Sequence, residues 1–194
     1  MAEPAVNLYH DEPRYETHDG KIVFMAPSAS PDHGFVVINV ASIFKNFLKG
    51  KPCWVLGDNS DVHLSDKDIF RPDVSVICNK DILKKGKGIY GAPDLVVEIL
   101  SPRTMKYDRN YKKNVYEKAG VKEFWIIDPS NRAVEVYLLK DGKYELDNVY
   151  VKHDEGWIAR TTQENRDAII YEFKTSIFDD LIIKVEDVFE NISF

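Results

Sequence analysis

Apolar residues recur along the chain in two periods, and the switches between them mark the elements. Tyr15-Glu16-Thr17-His18 and Lys21-Ile22-Val23-Phe24-Met25 flank Asp19-Gly20, a two-residue turn signal, and predict a hairpin. Residues 28–31 break the chain, and Ser30 or Asp32 is placed to cap a helix running to about residue 49. Within it Phe35, Val36, Val40, Ile43, Phe44, Phe47 and Leu48 return at three- and four-residue steps, one stripe of an amphipathic helix, and Gly50 ends it. Short β-prone runs follow at 53–56 and 62–64, with a stronger one at 73–78. Residues 80–92 read as a basic, flexible loop containing Lys84, Lys85, Gly86, Lys87, Gly88 and Gly91. Leu95-Val96-Val97-Glu98-Ile99-Leu100 is apolar on both faces except for one glutamate, the pattern of a central strand in a covered sheet. A second helix runs from about Met105 or Asp108 to Ala119, with Gly120 just past its end. Phe124-Trp125-Ile126-Ile127 predicts another buried strand, and 133–139 with 144–151 a hairpin about Asp141-Gly142. Further on, Trp157-Ile158-Ala159 and 177–183 look extended, and 185–192 reads as a short closing helix. No repeat or linker interrupts this order. The expectation is one domain over residues 1–194, of α/β (α+β) class, with a mixed central sheet flanked by helices and with added β-hairpins.

Composition changes this picture little. A hydrophobic share of 44% and a charged share of 30% are those of an ordinary globular domain. No segment approaches the roughly 20 apolar residues of a membrane span, and the opening MAEPAVNLYHDEPRYE lacks the basic start and apolar stretch of a secretory signal. Cys53 and Cys78 sit in apolar runs without metal-ligand spacing and read as buried thiols, from which a reducing, cytoplasmic location follows. Charge matters more. The net of −6 argues against a polyanionic partner, yet residues 80–123 carry 11 Lys+Arg against 6 Asp+Glu. Local field, not total charge, governs how a polyanion approaches. Scattered solvated faces give the same count.

The chemistry concentrates in three places: Pro72-Asp73, Pro93-Asp94 through Glu98, and Asp108-xxx-Lys112. An ionised Glu98 within LVVEIL is strongly desolvated unless paired or metal-bound. Alternation places Val96 and Leu100 on its face, so its partner comes from elsewhere, either an arginine or a cation. Asp73 opens the preceding strong strand, as a turn residue or as a second carboxylate at a neighbouring strand end. Two carboxylates held together repel unless a cation lies between them. Mg²⁺ binds one or two carboxylates, keeps several waters, and lowers the pKa of one. Asp94, at the strand's mouth, is suited to capping or an outer contact. Lys112 lies one turn after Asp108 and one turn before Tyr116 on one helix face. It is either a surface lysine or a cation that orients water and offsets transition-state charge. Lys113, rotated about 100° away, is expected to face solvent.

Together, the Pro-Asp at 72–73, GAPDLVVEILSP at 91–102, the helix D-x-x-x-K-x-x-x-Y at 108–116 and GVKEFWIIDP at 120–129 resemble the Uma-type branch of the restriction-endonuclease-like PD-(D/E)XK superfamily. The resemblance spans roughly residues 10–140. It implies a restriction-endonuclease-like core, Mg²⁺ (or Mn²⁺) as cofactor, and a homodimer. Carried over residue by residue, Asp73 is the first acid and Glu98 the second. The lysine that normally follows two residues later is replaced by Leu100, and Lys112 of the next helix takes the role. Glu16 matches an acid donated near the N-terminus, and Asp94 and Asp108 are possible accessory acids. His33 matches a commonly seen histidine, as a nucleic-acid contact or, more simply, in capping or packing.

Two functions follow. In the first, Asp73, Glu98 and the Ile99 carbonyl hold the metal, Lys112 positions water, and Lys84, Lys85, Lys87, Arg103, Lys106 and Arg109 track the backbone of a nucleic acid, expected to be DNA. In the second, the same fold is a catalytically inactive nucleic-acid- or protein-binding module, favoured by the leucine at 100 and the net charge. A two-carboxylate glycosidase is a poorer fit, because no row of aromatics lies near the acids.

Overall fold

The structure, a computed structural model, describes residues 14–25, 30–57 and 60–192. The opening hairpin forms as expected, with β1 (Tyr15–His18) antiparallel to β2 (Lys21–Phe24). Asp19 and Gly20 take φ of 48° and 77°, the left-handed pair that a two-residue hairpin turn needs. Helix α1 (Pro31–Phe47) begins at Ser30, whose hydroxyl accepts from the His33 amide. Then come β3 (Trp54–Gly57), β4 (Val62–His63), β5 (Ile69–Phe70), β6 (Val74–Ile77), a 3-10 turn at Lys80–Ile82, β7 (Leu83–Lys84), β8 (Gly88–Tyr90) and β9 (Leu95–Ile99). The second helix consists of α2 (Met105–Tyr107), a π-helical turn (Asp108–Lys112) and α3 (Lys113–Ala119). Strands β10 (Glu123–Asp128), β11 (Ala133–Lys140) and β12 (Lys143–Val151) follow. The chain closes with α4 (Glu155–Arg160), α5 (Gln163–Asp167), β13 (Glu172–Lys174), β14 (Ile182–Lys184) and α6 (Val185–Val188).

The strands divide into two mixed six-stranded sheets and a small β13–β14 pair. The large sheet runs β12-β11-β10-β9-β6-β3, with β9 parallel to β10 and antiparallel to β6. Its central strands are buried on both faces, as the unbroken apolar runs require. One face packs Leu95, Val97, Ile99, Trp125 and Ile127 against Val36, Val40 and Phe44 of α1 and against the C-terminal segment. The other sets Val96, Leu100, Phe124 and Ile126 against Tyr116 of α3 and Phe70 of the second sheet. Glu98, in step with Val96 and Leu100, faces this second layer. The second sheet runs β2-β1-β5-β4-β8-β7.

Four expectations are corrected. The basic stretch 80–92 is a β7–β8 hairpin rather than a flexible loop. Its Gly88 (φ 114°) is required because a Cβ there would lie 2.7 Å from the Asp61 carbonyl oxygen. Trp157-Ile158-Ala159 is helical in α4, because Asp154 caps it by accepting from the Trp157 amide and Glu155 lies in its first turn. Of residues 177–183 only the last two are in a strand. Cys53 and Cys78 are joined in a disulfide: Trp54 faces Ile77 across β3 and β6, which brings the next pair outward into opposition. The compartment inferred from two thiols therefore no longer follows from them. Among the described residues no helix is long and apolar enough to cross a membrane.

Candidate active site

At the junction of the two sheets, three carboxylates contact one lysine and a fourth, Asp73, lies beside them. The β6–β9 register pairs Val74 with Val97, so Asp73 falls beside Glu98 at the end of the two strands. Asp73 Oδ2 accepts from the Ile99 amide at 2.7 Å, and Oδ1 lies 3.2 Å from His33 Nε2 at the start of α1. Glu16 arrives from the second sheet, on the inward face of β1. Lys112 and Asp108 come from the helix that crosses above β9.

Lys112 is buried and spends its three protons on acids. Its Nζ lies 2.9 Å from Glu16 Oε1, 3.1 and 3.2 Å from the two oxygens of Glu98, and 3.7 Å from Asp108 Oδ1. Tyr116, one turn further, donates its hydroxyl to Glu98 Oε1 at 2.6 Å. Glu16 also accepts from the Arg71 amide at 2.8 Å and pairs its other oxygen with His18 Nε2 at 2.9 Å. The His18 ring packs among Phe70, Tyr107 and Tyr111.

The electrostatics follow from crowding acids around a single cation away from water. Burial opposes ionisation of Glu16, but Lys112, His18 and the Arg71 amide together outweigh it and hold Glu16 at about 2. Burial pushes Glu98 well above the carboxylate range, and the neighbouring Asp108, Asp73 and Glu16 add to the push against the attraction of Lys112. Asp108 is raised by burial too, with Lys112 opposing. Burial alone would lower Lys112, yet Glu98, Glu16 and Asp108 raise it, so it keeps its proton.

The cluster floors a cleft of about 410 Å³ lined also by Val23, Phe24, Met25, Ile99, Arg103 and Tyr107. Asp73, Glu98, Lys112, Glu16 and Asp108 thus converge, and Ile99 and His33 border them. Of the remaining candidates, Arg103 lines the cleft and the others lie elsewhere. Asp94 stands at the opposite end of β9, where it accepts from the Cys78 amide and pairs with Lys122 at 2.7 Å; it caps the sheet. Arg109 is held by Glu135 at 2.6 Å and is not a free phosphate contact. Arg103 is exposed at the cleft, and Lys106 is exposed one turn along. Lys84, Lys85 and Lys87 are exposed on the β7–β8 hairpin, away from the cleft. Lys113 does not simply face solvent; its ammonium lies 3.8 Å from the Tyr137 ring centre. His18 is the residue the sequence argument passed over. The signal was present, since alternation in β1 sets it on the same face as Glu16.

Comparison with known proteins agrees with this architecture. Residues 3–166 match the model of a family, Uma2, described as "Putative restriction endonuclease". An uncharacterized protein of Synechocystis sp. is 31% identical over 155 residues, covering 77% of this chain and 73% of that one. A crystal structure from Anabaena variabilis, titled as a putative nuclease belonging to DUF820, superposes with a TM-score of 0.68 over 94% of this chain and 93% of its own, at 22% identity. That likeness establishes the fold.

Proposed function

The chain belongs to the Uma2 family, and on that premise we propose that it is a divalent-metal-dependent nuclease that hydrolyses phosphodiester bonds, with DNA as substrate. The observation that carries the reading is the gathering of buried carboxylates about a single buried cation, Lys112, at the floor of the cleft. Three acids share Lys112 with Asp73 set beside Glu98, and two of the three, Glu98 and Asp108, are raised above the ordinary carboxylate range by burial and by neighbouring carboxylates. Asp108 Oδ1 is buried without a hydrogen bond. A site so composed favours an added cation.

The donor set fits a particular ion. Among the described residues no three His, Cys, Asp or Glu side chains form a ready-made cage. Mg²⁺, or Mn²⁺, takes one or two carboxylates and keeps its waters, and two acids with a backbone carbonyl are the donors on offer at this strand end. Asp73, Glu98 and the Ile99 carbonyl would hold it. When bound, such an ion polarises a phosphoryl oxygen and supplies an acidic water. Lys112 stays protonated, so it serves as a fixed positive charge that orients water and balances the charge growing on phosphorus, not as a base. Glu16, ionised at neutral pH, anchors that ammonium. Arg103 at the cleft supplies a phosphate contact. The homodimer implied by the family resemblance belongs to the same proposal, with sedimentation as its measure.

The expected outcome is DNA cleavage that requires Mg²⁺ and disappears in Asp73→Ala, Glu98→Gln and Lys112→Ala. Undiminished cleavage in these variants, or equal cleavage in EDTA, sinks the assignment. One observation favours the inactive binding module instead: Lys112 already contacts both Glu98 oxygens, where the metal would sit. Calorimetric titration with Mn²⁺ separates the two. Absence of binding at millimolar metal selects the module.

A further inference from the structure

The second sheet has an outer face that the cleft chemistry leaves unused. The register aligns Thr17 with Ile22 and Ile69, Ile69 with His63, and His63 with Tyr90. Side chains at directly paired positions share a face, so these five point one way, together with Tyr15 and Phe24, which pair two residues further along the hairpin. Glu16, Val62, Phe70 and Ile89 point the other way, into the core. The outer face is unusually rich in exposed rings: Tyr15 is 49% exposed, Phe24 58% and Tyr90 43%, with Ile22 beside them at 59%. Apolar side chains gathered on one face of a soluble domain mark a binding surface.

We infer that this face is a stacking platform for unpaired nucleotides of a nucleic-acid substrate, leading from the cleft to the lysines of the β7–β8 hairpin. Three observations select that partner. First, Phe24 belongs to both surfaces, because it lies on the outer face and also lines the cleft. Second, the far end is basic: Lys84 shares the outer face opposite Gly88, and Lys85 and Lys87 flank the hairpin turn beside Tyr90. Third, the Tyr90 ring is already set for stacking, lying parallel to His63 at 4.0 Å and 10° while remaining largely exposed. Rings that accept bases of any sequence, beside lysines that follow the backbone, are the general means of holding a single strand. From β1 to β8 is three strand spacings, roughly 14 Å, a span of a few nucleotides. A second copy of the chain is the competing occupant. Stacking the face on itself would require covering three lysines of like charge.

This inference rests on the nuclease reading for its substrate, but its test does not require cleavage. Fluorescence anisotropy of labelled oligothymidine and of a blunt duplex, in EDTA, reads binding alone. The full chain is expected to hold the single strand more tightly than the duplex. Tyr90→Ala should weaken single-strand binding about tenfold, with Tyr90→Trp restoring it. Replacing Lys84, Lys85 and Lys87 together by Ala should flatten the log–log salt dependence by about two. Circular dichroism checks that each variant is folded. Single-strand binding that is absent, or unchanged in both variants, overturns the platform while leaving metal-dependent cleavage to stand or fall separately. A dimer seen by sedimentation that dissociates in Ile22→Asp or Tyr90→Ala overturns it in favour of a second copy.

Discussion

Lys112 is worth more to the fold than any acid it touches. Removing it leaves Glu16, Glu98 and Asp108 buried together without a counter-charge, whereas removing one acid leaves the lysine with two. Breaking a buried charge network by taking its central partner costs about 3–5 kcal/mol. Lys112→Met should therefore lower the urea unfolding free energy of the metal-free protein by that amount, and a loss under about 1 kcal/mol would show that the acids neutralise themselves. The pH dependence carries the opposite signs of the two glutamates. Glu16 is held at about 2, below its ordinary 4.5, so its contribution to stability is present above pH 4.5 and is lost as pH falls from there. Glu98 is raised well above 4.5, so its contribution is greatest below that value and is lost as pH rises through the folded pKa. Melting temperatures in EDTA should thus decline more from pH 5 to 8 in the wild type than in Glu98→Gln. Parallel profiles would exclude a raised Glu98. The sequence made Glu98 legible because a lone carboxylate in an apolar strand has few physical roles. It left Glu16 and His18 indistinct, since a four-residue hairpin strand with alternating polar residues resembles any solvent-facing edge.

At the level of elements, the helix over 105–119 was visible from its spacing and its C-terminal glycine, but its π turn was not. A π turn adds a residue without changing composition, and such turns concentrate where a side chain must be re-aimed. Here the turn contains both Asp108 and Lys112, the helix's two buried charges. Deleting the exposed Asn110 should return the segment to α-helical winding and change the spacing of Asp108 and Lys112, and so their aim at Glu98. We expect helical circular dichroism to persist while the Mg²⁺-dependent cleavage proposed above is lost; a deletion variant as active as the wild type would show the turn to be incidental. The disulfide escaped sequence analysis for a different reason. Two cysteines 25 residues apart specify no contact until strand register is known, and the β3–β6 register is a tertiary fact. Closing a loop of this length stabilises by roughly 2–4 kcal/mol, so Cys53→Ser should lower unfolding stability by that amount under non-reducing conditions and by nothing measurable in excess dithiothreitol.

The molecule as a whole is two sheets joined through apolar contacts at Phe70, Val62 and Ile89 and through the polar cluster beside them, with the C-terminal segment returning over the far face. Glu123 fastens that return. Wholly buried on β10, it accepts from Trp125 Nε1 at 2.7 Å and from the Ser176 amide and hydroxyl at 2.6 Å. Each buried donor stranded without its acceptor costs about 1–3 kcal/mol. Glu123→Ala should loosen residues 170–192 first, seen as early loss of amide protection there, and uniform exchange along the chain would refute the anchor. The large sheet and its order of elements were legible because its strands are long and apolar. The second sheet was not, because β4, β5, β7 and β8 have only two or three residues each and take their identity from their neighbours.

Placing the cation on a helix, rather than beside the second acid on its own strand, has a consequence for how such proteins diverge. Were the lysine two positions past Glu98, any shift that displaced it would also slip the central strand and unfold the core. Carried by the helix, it can be re-aimed by a single-codon change at the π turn that leaves strand register alone, although the acids it leaves behind then lower the stability of the fold. In this architecture the cation and the register of its acids are carried on separate elements, and a lineage can alter one without altering the other.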